Sequence, residues 1–169
     1  MRPIRQVMLR PIGDPDTDLL VAWRNAPESR TWFRDSREIT AEGHRGWLSM
    51  PQRRLELNSI LEVDGVPSAF GSIYAVDRRA RSAELGRFLV DPRRRGQGLG
   101  RLLCTAIVEQ SFDLPYLDEV RLEVKFDNVV AIALYRSLGF HPPASEDEDA
   151  QYPRFVLRRR EWAKSREAT

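Results

Sequence analysis

Apolar positions along this chain switch several times between a period of two and a period of about 3.6, and each switch marks a change of element. Residues 4–10 alternate as an opening strand. Asp14-Pro15 then starts a helix with proline at its first position; it carries Leu19, Leu20 and Trp23 and ends before Pro27, which disfavours helix at the preceding residue. A second helix follows Thr40 as N-cap, with His44, Trp47 and Leu48 one turn apart on the same side. Residues 55–63 and 66–76 flank Asp64-Gly65, a pair that favours a type I′ hairpin turn. A further strand covers 82–90. Leu99, Leu102, Leu103, Ala106 and Ile107 then fall on one face of a helix running to about Phe112. A strand over 119–124, a helix over 129–138 stopped by Gly139, and a last strand holding 155–158 complete the pattern. The order β-α-α-β-β-β-α-β-α-β predicts a single α/β domain over 1–169, a mixed sheet flanked by helices.

The stretch between the 82–90 strand and its helix is Asp91-Pro92-Arg93-Arg94-Arg95-Gly96-Gln97-Gly98-Leu99-Gly100-Arg101. Glycines at 96, 98 and 100 remove every other Cβ, so successive backbone N–H groups can turn toward one anion at the positive end of a helix. A dinucleotide fingerprint would need G-x-G-x-x-G, and a P-loop would need Gly-Lys-Ser/Thr at its end; the spacing is G-x-G-x-G and Gly100 is followed by Arg101-Leu102. What fits is Q/R-x-x-G-x-G/A, met from Arg95 to Gly100, with Val90-Asp91-Pro92 ahead of it. A second block, Asn128-Val129-Val130-Ala131-Ile132-Ala133-Leu134-Tyr135-Arg136-Ser137-Leu138-Gly139-Phe140, has the form N-x-x-A-x-x-L-Y-x-x-x-G-F. On these two blocks, in this order, the chain resembles the GCN5-related N-acetyltransferases. The resemblance implies the GNAT fold, with a mixed, mostly antiparallel central sheet flanked by helices. Its cofactor-binding core would span about 82–140 and its acceptor side about 14–50.

Composition narrows the partners. With 27 Lys+Arg against 25 Asp+Glu the net charge is +2, which is no nucleic-acid signature. No apolar run approaches the ~20 residues of a membrane span, and the N-terminus lacks the apolar core of a signal peptide, so a cytoplasmic protein is expected. One cysteine and two histidines make a structural metal site unexpected; Cys104, beside Ala106 and Ile107, suits a buried thiol better than a nucleophile. Arg158-Arg159-Arg160 and Glu146-Asp147-Glu148-Asp149 fit a solvated strand end and an exposed loop. Arg93-Arg94-Arg95 has a phosphate to serve, since coenzyme A carries a 3′-phosphate besides its pyrophosphate.

The resemblance implies acetyl-CoA as donor, no metal, and transfer of the acetyl group to an amine. In that chemistry backbone N–H groups at Phe88, Leu89 and Val90 polarise the thioester carbonyl. The pyrophosphate rests on amides of Arg95, Gly96, Gln97, Gly98, Leu99, Gly100 and Arg101. Tyr135 fits the general acid for the departing thiolate, or else a core aromatic of an amphipathic helix. Asn128 fits a helix N-cap and a cofactor contact alike. Two strand carboxylates fit the base that takes the amine proton. Glu123 lies twelve residues before Tyr135, as in the N-terminal-alanine acetylases, and Glu84 lies eleven before Arg95, as in the histone-acetylating branch. Glu123 ranks first, and either fits an exposed strand carboxylate.

On the acceptor side, Trp23-Arg24-Asn25, Arg30 and Ile39-Thr40-Ala41-Glu42-Gly43-His44-Arg45-Gly46-Trp47 resemble the nucleotide-linked amino-sugar acetylases of the pseudaminic-acid pathway type. That likeness implies that His44 and Trp47 face the acceptor while Arg24, Asn25 and Arg30 hold a diphosphate. Core packing accounts for the tryptophans equally well. The expected reaction is direct attack by a primary amine, with that of a nucleotide-linked 4-amino-deoxysugar as the expected acceptor. The alternatives are an N-terminal acetylase of ribosomal or other proteins, and an acyl-CoA-binding sensor module without catalysis. Members of the family are often homodimers, though no apolar stripe here demands one.

Overall fold

The computed structural model describes residues 6–144 and 149–167. Six strands, β1 (Val7–Pro11), β2 (Leu57–Val63), β3 (Val66–Asp77), β4 (Ser82–Val90), β5 (Glu119–Glu123) and β6 (Arg154–Arg158), follow one another in chain order across one sheet. β1 pairs antiparallel with β2, β4 parallel with β5, and β5 antiparallel with β6, which makes the sheet mixed. The helices are α1 (Thr17–Asn25), α2 (Pro27–Arg30), α3 (Ala41–Ser49), α4 (Leu99–Asp113), α5 (Val129–Ser137) and α6 (Arg159–Glu167). None of the described helices is long and apolar enough to cross a membrane. The fold is the mixed six-stranded α/β arrangement expected from the sequence.

The chain divides into two compact units. The first holds the described residues up to Ser72 together with Arg87–Leu103. Its core is Leu20, Trp23, Ile60, Phe70 and Leu89, with Ile12, Leu19, Phe33 and Trp47 packed against it. Arg10 on β1 ties the edge of this unit together, reaching Asp16 at 2.8 Å and Glu62 on β2 at 2.6 Å. Asp16 also accepts the Gly13 N–H at 2.9 Å, so its buried carboxylate is paired and hydrogen-bonded. The hairpin turn has Asp64 at φ 55° and Gly65 at φ 74°, both positive as a type I′ turn requires. Thr40 caps α3 by accepting the Gly43 N–H at 3.0 Å. Pro27 ends α1 as expected and then occupies the first position of α2, a short helix that periodicity does not announce.

The second unit holds Ile73–Gly86 and the described residues from Cys104 onward. Along β5, Val120 and Leu122 are buried while Glu119, Arg121 and Glu123 share the other face. There the register sets Glu119 against Arg158 and Glu123 against Arg154, and both pairs form ion pairs, at 3.2 and 3.1 Å. The 158–160 run is not the solvated strand end expected from its charge. Arg159 opens α6 and donates to the carbonyls of Phe112, Leu114 and Leu117, at the end of α4 and in the turn after it. Of the acidic run at 146–149, only Asp149 lies within the described residues.

Candidate functional site

In the first unit β4 feeds the glycine loop through a short turn over 92–94. Asp91 is buried, accepts the Arg93 N–H at 3.0 Å and pairs with the Arg93 guanidinium, which holds its carboxyl below the ordinary range. The Asp91 N–H in turn donates to the Ser68 carbonyl at 3.0 Å, so the root of the loop is fixed on β3. Gly96 and Gly98 stand at φ 75° and 78°, a region L side chains rarely adopt, and a Cβ at either would meet nothing within 4 Å. These two glycines therefore serve backbone direction, not space. Gly100 is already the second residue of α4. Leu99, fully buried, anchors the helix start, and the Leu102 N–H takes the Gly98 carbonyl at 3.2 Å. The N–H groups of Leu99, Gly100 and Arg101 precede that rung and lie at the positive end of a 15-residue helix.

The arginines of the loop are engaged within the protein. Arg93 holds Asp91, Arg94 donates to the Ser68 hydroxyl, and Arg95 Nη2 donates to the buried Ser29 hydroxyl on α2 at 2.7 Å. Upstream, Leu89 belongs to the core cluster while Phe88 and Val90 are half-buried. Arg87 stands at φ 56° inside β4. Along this strand Ala83, Leu85 and Leu89 are buried, and Glu84, Gly86 and Phe88 are half-buried.

The acceptor-side residues found in the sequence also have partners. Asn25 grips Ile39 with two 2.8 Å hydrogen bonds, one to its carbonyl and one from its N–H. Arg24 stacks its guanidinium 4.0 Å from the Phe33 ring centre and donates to the Asp35 carbonyl. Arg30 pairs with Glu38 at 2.9 Å. Together they fix the segment joining α2 to α3. His44 is buried, its Nδ1 lies 3.2 Å from the Thr17 hydroxyl, and its ring centre is 5.5 Å from that of Trp47. Burial, with Arg45 adding to it, holds the imidazole below its ordinary pKa and so neutral at pH 7.

Three residues missed by sequence reasoning gather around Trp47. Arg87 donates to Glu56 at 2.6 and 3.2 Å, Arg53 donates to the same carboxylate, and both guanidiniums lie over the Trp47 ring, 5.2 and 4.9 Å from its centre. Asn58 Nδ2 reaches Glu56 at 3.3 Å, and Asn58 Oδ1 accepts the Ser72 hydroxyl at 2.6 Å. Burial pulls the Glu56 carboxyl upward, but the hydrogen bonds from Arg87 and Arg53 outweigh it and leave it below the ordinary range. Among the described residues, two buried side-chain polar atoms lack a hydrogen-bond partner, and both are guanidinium nitrogens: Arg24 Nη1 and Arg53 Nε.

In the second unit Asn128 caps α5, its side chain accepting the Ala131 N–H at 3.2 Å. The far end of α5 closes on Gly139 at φ 97°: the Gly139 N–H donates to Arg136 and the Phe140 N–H to Tyr135. This is the helix stop in which the residues three before and two after the cap touch. Tyr135 and Phe140 occupy those places, with ring centres 6.0 Å apart in an edge-to-face pair. The Gly-Phe of the sequence block thus fixes the tyrosine. Tyr135 is buried, and burial, with the Cys104 thiol adding to it, pushes its hydroxyl well above its ordinary pKa. Cys104 is itself buried within α4. Glu123, at the end of β5, is in its ion pair with Arg154; Glu84, half-buried on β4, registers with Arg121.

The acetyltransferase (GNAT) family matches residues 17–140. The [ribosomal protein bS18]-alanine N-acetyltransferase of Salmonella typhimurium is 33% identical over 143 residues, covering 79% of this chain and 88% of the relative. Of two further curated relatives the chain spans 28% and 42% of the length. The spermidine N-acetyltransferase of Vibrio cholerae, solved with CoA and spermine, superposes with a TM-score of 0.83 at 18% identity, covering 94% of this chain and 98% of that one. The aminoglycoside acetyltransferase AAC(6')-Ib, solved with coenzyme A, gives 0.80 at 19% identity, with 95% and 99% covered. At these identities the likeness is one of fold.

Proposed function

Because the chain belongs to the acetyltransferase (GNAT) family, and with it to the acyltransferases, we propose that it is an acetyl-CoA-dependent N-acetyltransferase in which a primary amine attacks the thioester directly. One observation carries the reading: two glycines in the left-handed region turn the chain from β4 into the N-terminus of α4, inside the stretch that matches the family. That cradle fits a pyrophosphate through backbone N–H groups from Arg95 to Arg101. When bound, acetyl-CoA supplies the acetyl group as a thioester.

The chain's own residues supply the rest. Backbone N–H groups at Phe88, Leu89 and Val90, at the end of β4, polarise the carbonyl without having to reorganise. The Tyr135 hydroxyl, kept protonated by burial, gives its proton to the leaving sulfur. Glu123 or Glu84 takes the proton from the attacking amine. Buried Cys104 supports direct transfer over an acetyl-cysteine. The proposed acceptor is the amine of a nucleotide-linked 4-amino-deoxysugar, as the Trp23–Asn25 and His44–Trp47 likeness implies. A second reading, acetylation of protein N-termini, is favoured by the 33% identity to the ribosomal-protein alanine acetyltransferase.

The test is acetyl-CoA-dependent thiol release with the sugar nucleotide run beside N-terminal ribosomal peptides. Sugar-dependent release supports the first acceptor and peptide-dependent release the second. Absence of release with any amine, under conditions where acetyl-CoA binds, overturns the enzymatic reading in favour of a binding module.

A further inference from the structure

We propose that Arg53 is a specificity-determining residue that recognises an acidic group on the acceptor, so that this chain acetylates amines bearing a phosphate or carboxylate in preference to polyamines. The inference rests on the N-acetyltransferase reading above.

Two guanidiniums face one carboxylate, leaving this cluster one unit positive. It is largely withdrawn from water: the Glu56, Arg53 and Arg87 side chains are 9%, 18% and 26% exposed. The carboxylate is spent, since it accepts from Arg53, from both Arg87 terminal nitrogens and from Asn58, so an incoming ammonium would have to displace a guanidinium. The unspent group is a donor. Arg53 Nε–H is buried without a partner, and a charged N–H left so costs free energy that an anionic oxygen would recover. Both guanidiniums lie against the Trp47 ring, which holds the cluster in place. The cluster is also correctly placed along the chain. Arg87 immediately precedes Phe88, and Trp47 packs on the core cluster that contains Leu89, two of the residues proposed to polarise the thioester.

The experiment compares kcat/KM for a nucleoside-diphosphate-linked amino sugar, the same amino sugar without its diphosphate, a carboxylate-bearing amine and spermidine. The wild-type protein is expected to prefer the acidic amines, the phosphate and carboxylate arms showing which oxyanion is read. Arg53→Gln should lose about tenfold or more of that preference through the acceptor KM, with KM for acetyl-CoA unchanged. Arg53→Lys keeps the charge and drops the Nε–H, so it should recover part of the preference; it also stands in if the glutamine variant does not fold. Exposed Arg54→Gln serves as the control and should behave as wild type. A preference for spermidine, or one untouched by Arg53→Gln, overturns the proposal while leaving the enzymatic reading intact. If no amine is acetylated that reading fails, and calorimetric binding of uridine diphosphate to the coenzyme-A-saturated protein decides alone. Weaker binding to Arg53→Gln supports the anion site, and equal binding overturns it.

Discussion

Arg95, which opens the glycine motif, donates to the buried Ser29 hydroxyl of α2 at 2.7 Å, so the loop and α2 are tied by one charge-assisted hydrogen bond. Removing the guanidinium therefore removes a tether as well as a charge. Arg95→Ala is expected to raise KM for acetyl-CoA about three- to tenfold, and Ser29→Ala, which removes only the tether, to reproduce part of that rise. Steady-state kinetics of both variants check this. An unchanged KM in Ser29→Ala would show that the tether has no part in holding the loop.

Gly98 has φ 78° with open space where a Cβ would stand, so alanine there strains the backbone without a clash. Gly98→Ala should cost about 1–2 kcal/mol, the usual penalty for an L residue in that region, and weaken coenzyme A binding. Thermal denaturation and calorimetry measure the two effects. Full stability and affinity in Gly98→Ala would mean that the loop can hold its anion in another conformation.

Tyr135→Phe keeps the edge-to-face pair with Phe140 and removes only the hydroxyl. The expected loss is ~10–10³-fold in kcat, with KM for acetyl-CoA nearly unchanged. Because burial raises the tyrosine's pKa, the hydroxyl stays protonated through neutral pH and well into the alkaline range. An unchanged kcat would assign Tyr135 to packing alone.

Asp16 is held below its ordinary value of 3.8 first by the Arg10 hydrogen bond, against a desolvation cost. A carboxylate depressed in the folded state adds stability above its unfolded pKa and loses it as pH falls through the lower folded value. Asp16→Asn should cost about 1–3 kcal/mol at pH 7, less than a fully buried pair because the Arg10 side chain is 31% exposed. It should also flatten the fall in stability below pH ~4. Urea denaturation of both proteins across that range gives the comparison; parallel profiles would dissociate Asp16 from the acid limb.

Where local rules act alone, the sequence was a sufficient guide. Asp64-Gly65, Thr40, Pro27, Asn128 and Gly139 each have the turn, cap or stop that their chemistry dictates. Gly96 and Gly98 likewise hold left-handed conformations that suit glycine, and Gly100 falls at the second position of α4. What escaped depends on partners distant in sequence. Arg87 finds Glu56 thirty-one residues away, Arg95 finds Ser29 sixty-six away, and Arg159 finds the end of α4 more than forty away. A run of arginines looks the same in sequence whether it meets solvent, a ligand or buried carbonyls. The charged helix α6 shows the same limit, because its sequence has no apolar stripe to announce it.

Direct acetyl transfer is tested by mass-resolved product analysis with acetyl-CoA and the paired sugar-nucleotide and peptide acceptors, alongside the intact mass of the protein during turnover. The expected result is an acceptor heavier by one acetyl group, stoichiometric thiol release, and a protein whose mass does not change. Accumulation of an acetylated protein, trapped on Cys104, would contradict direct transfer, and coenzyme A binding without any acetylated amine would contradict the enzyme itself.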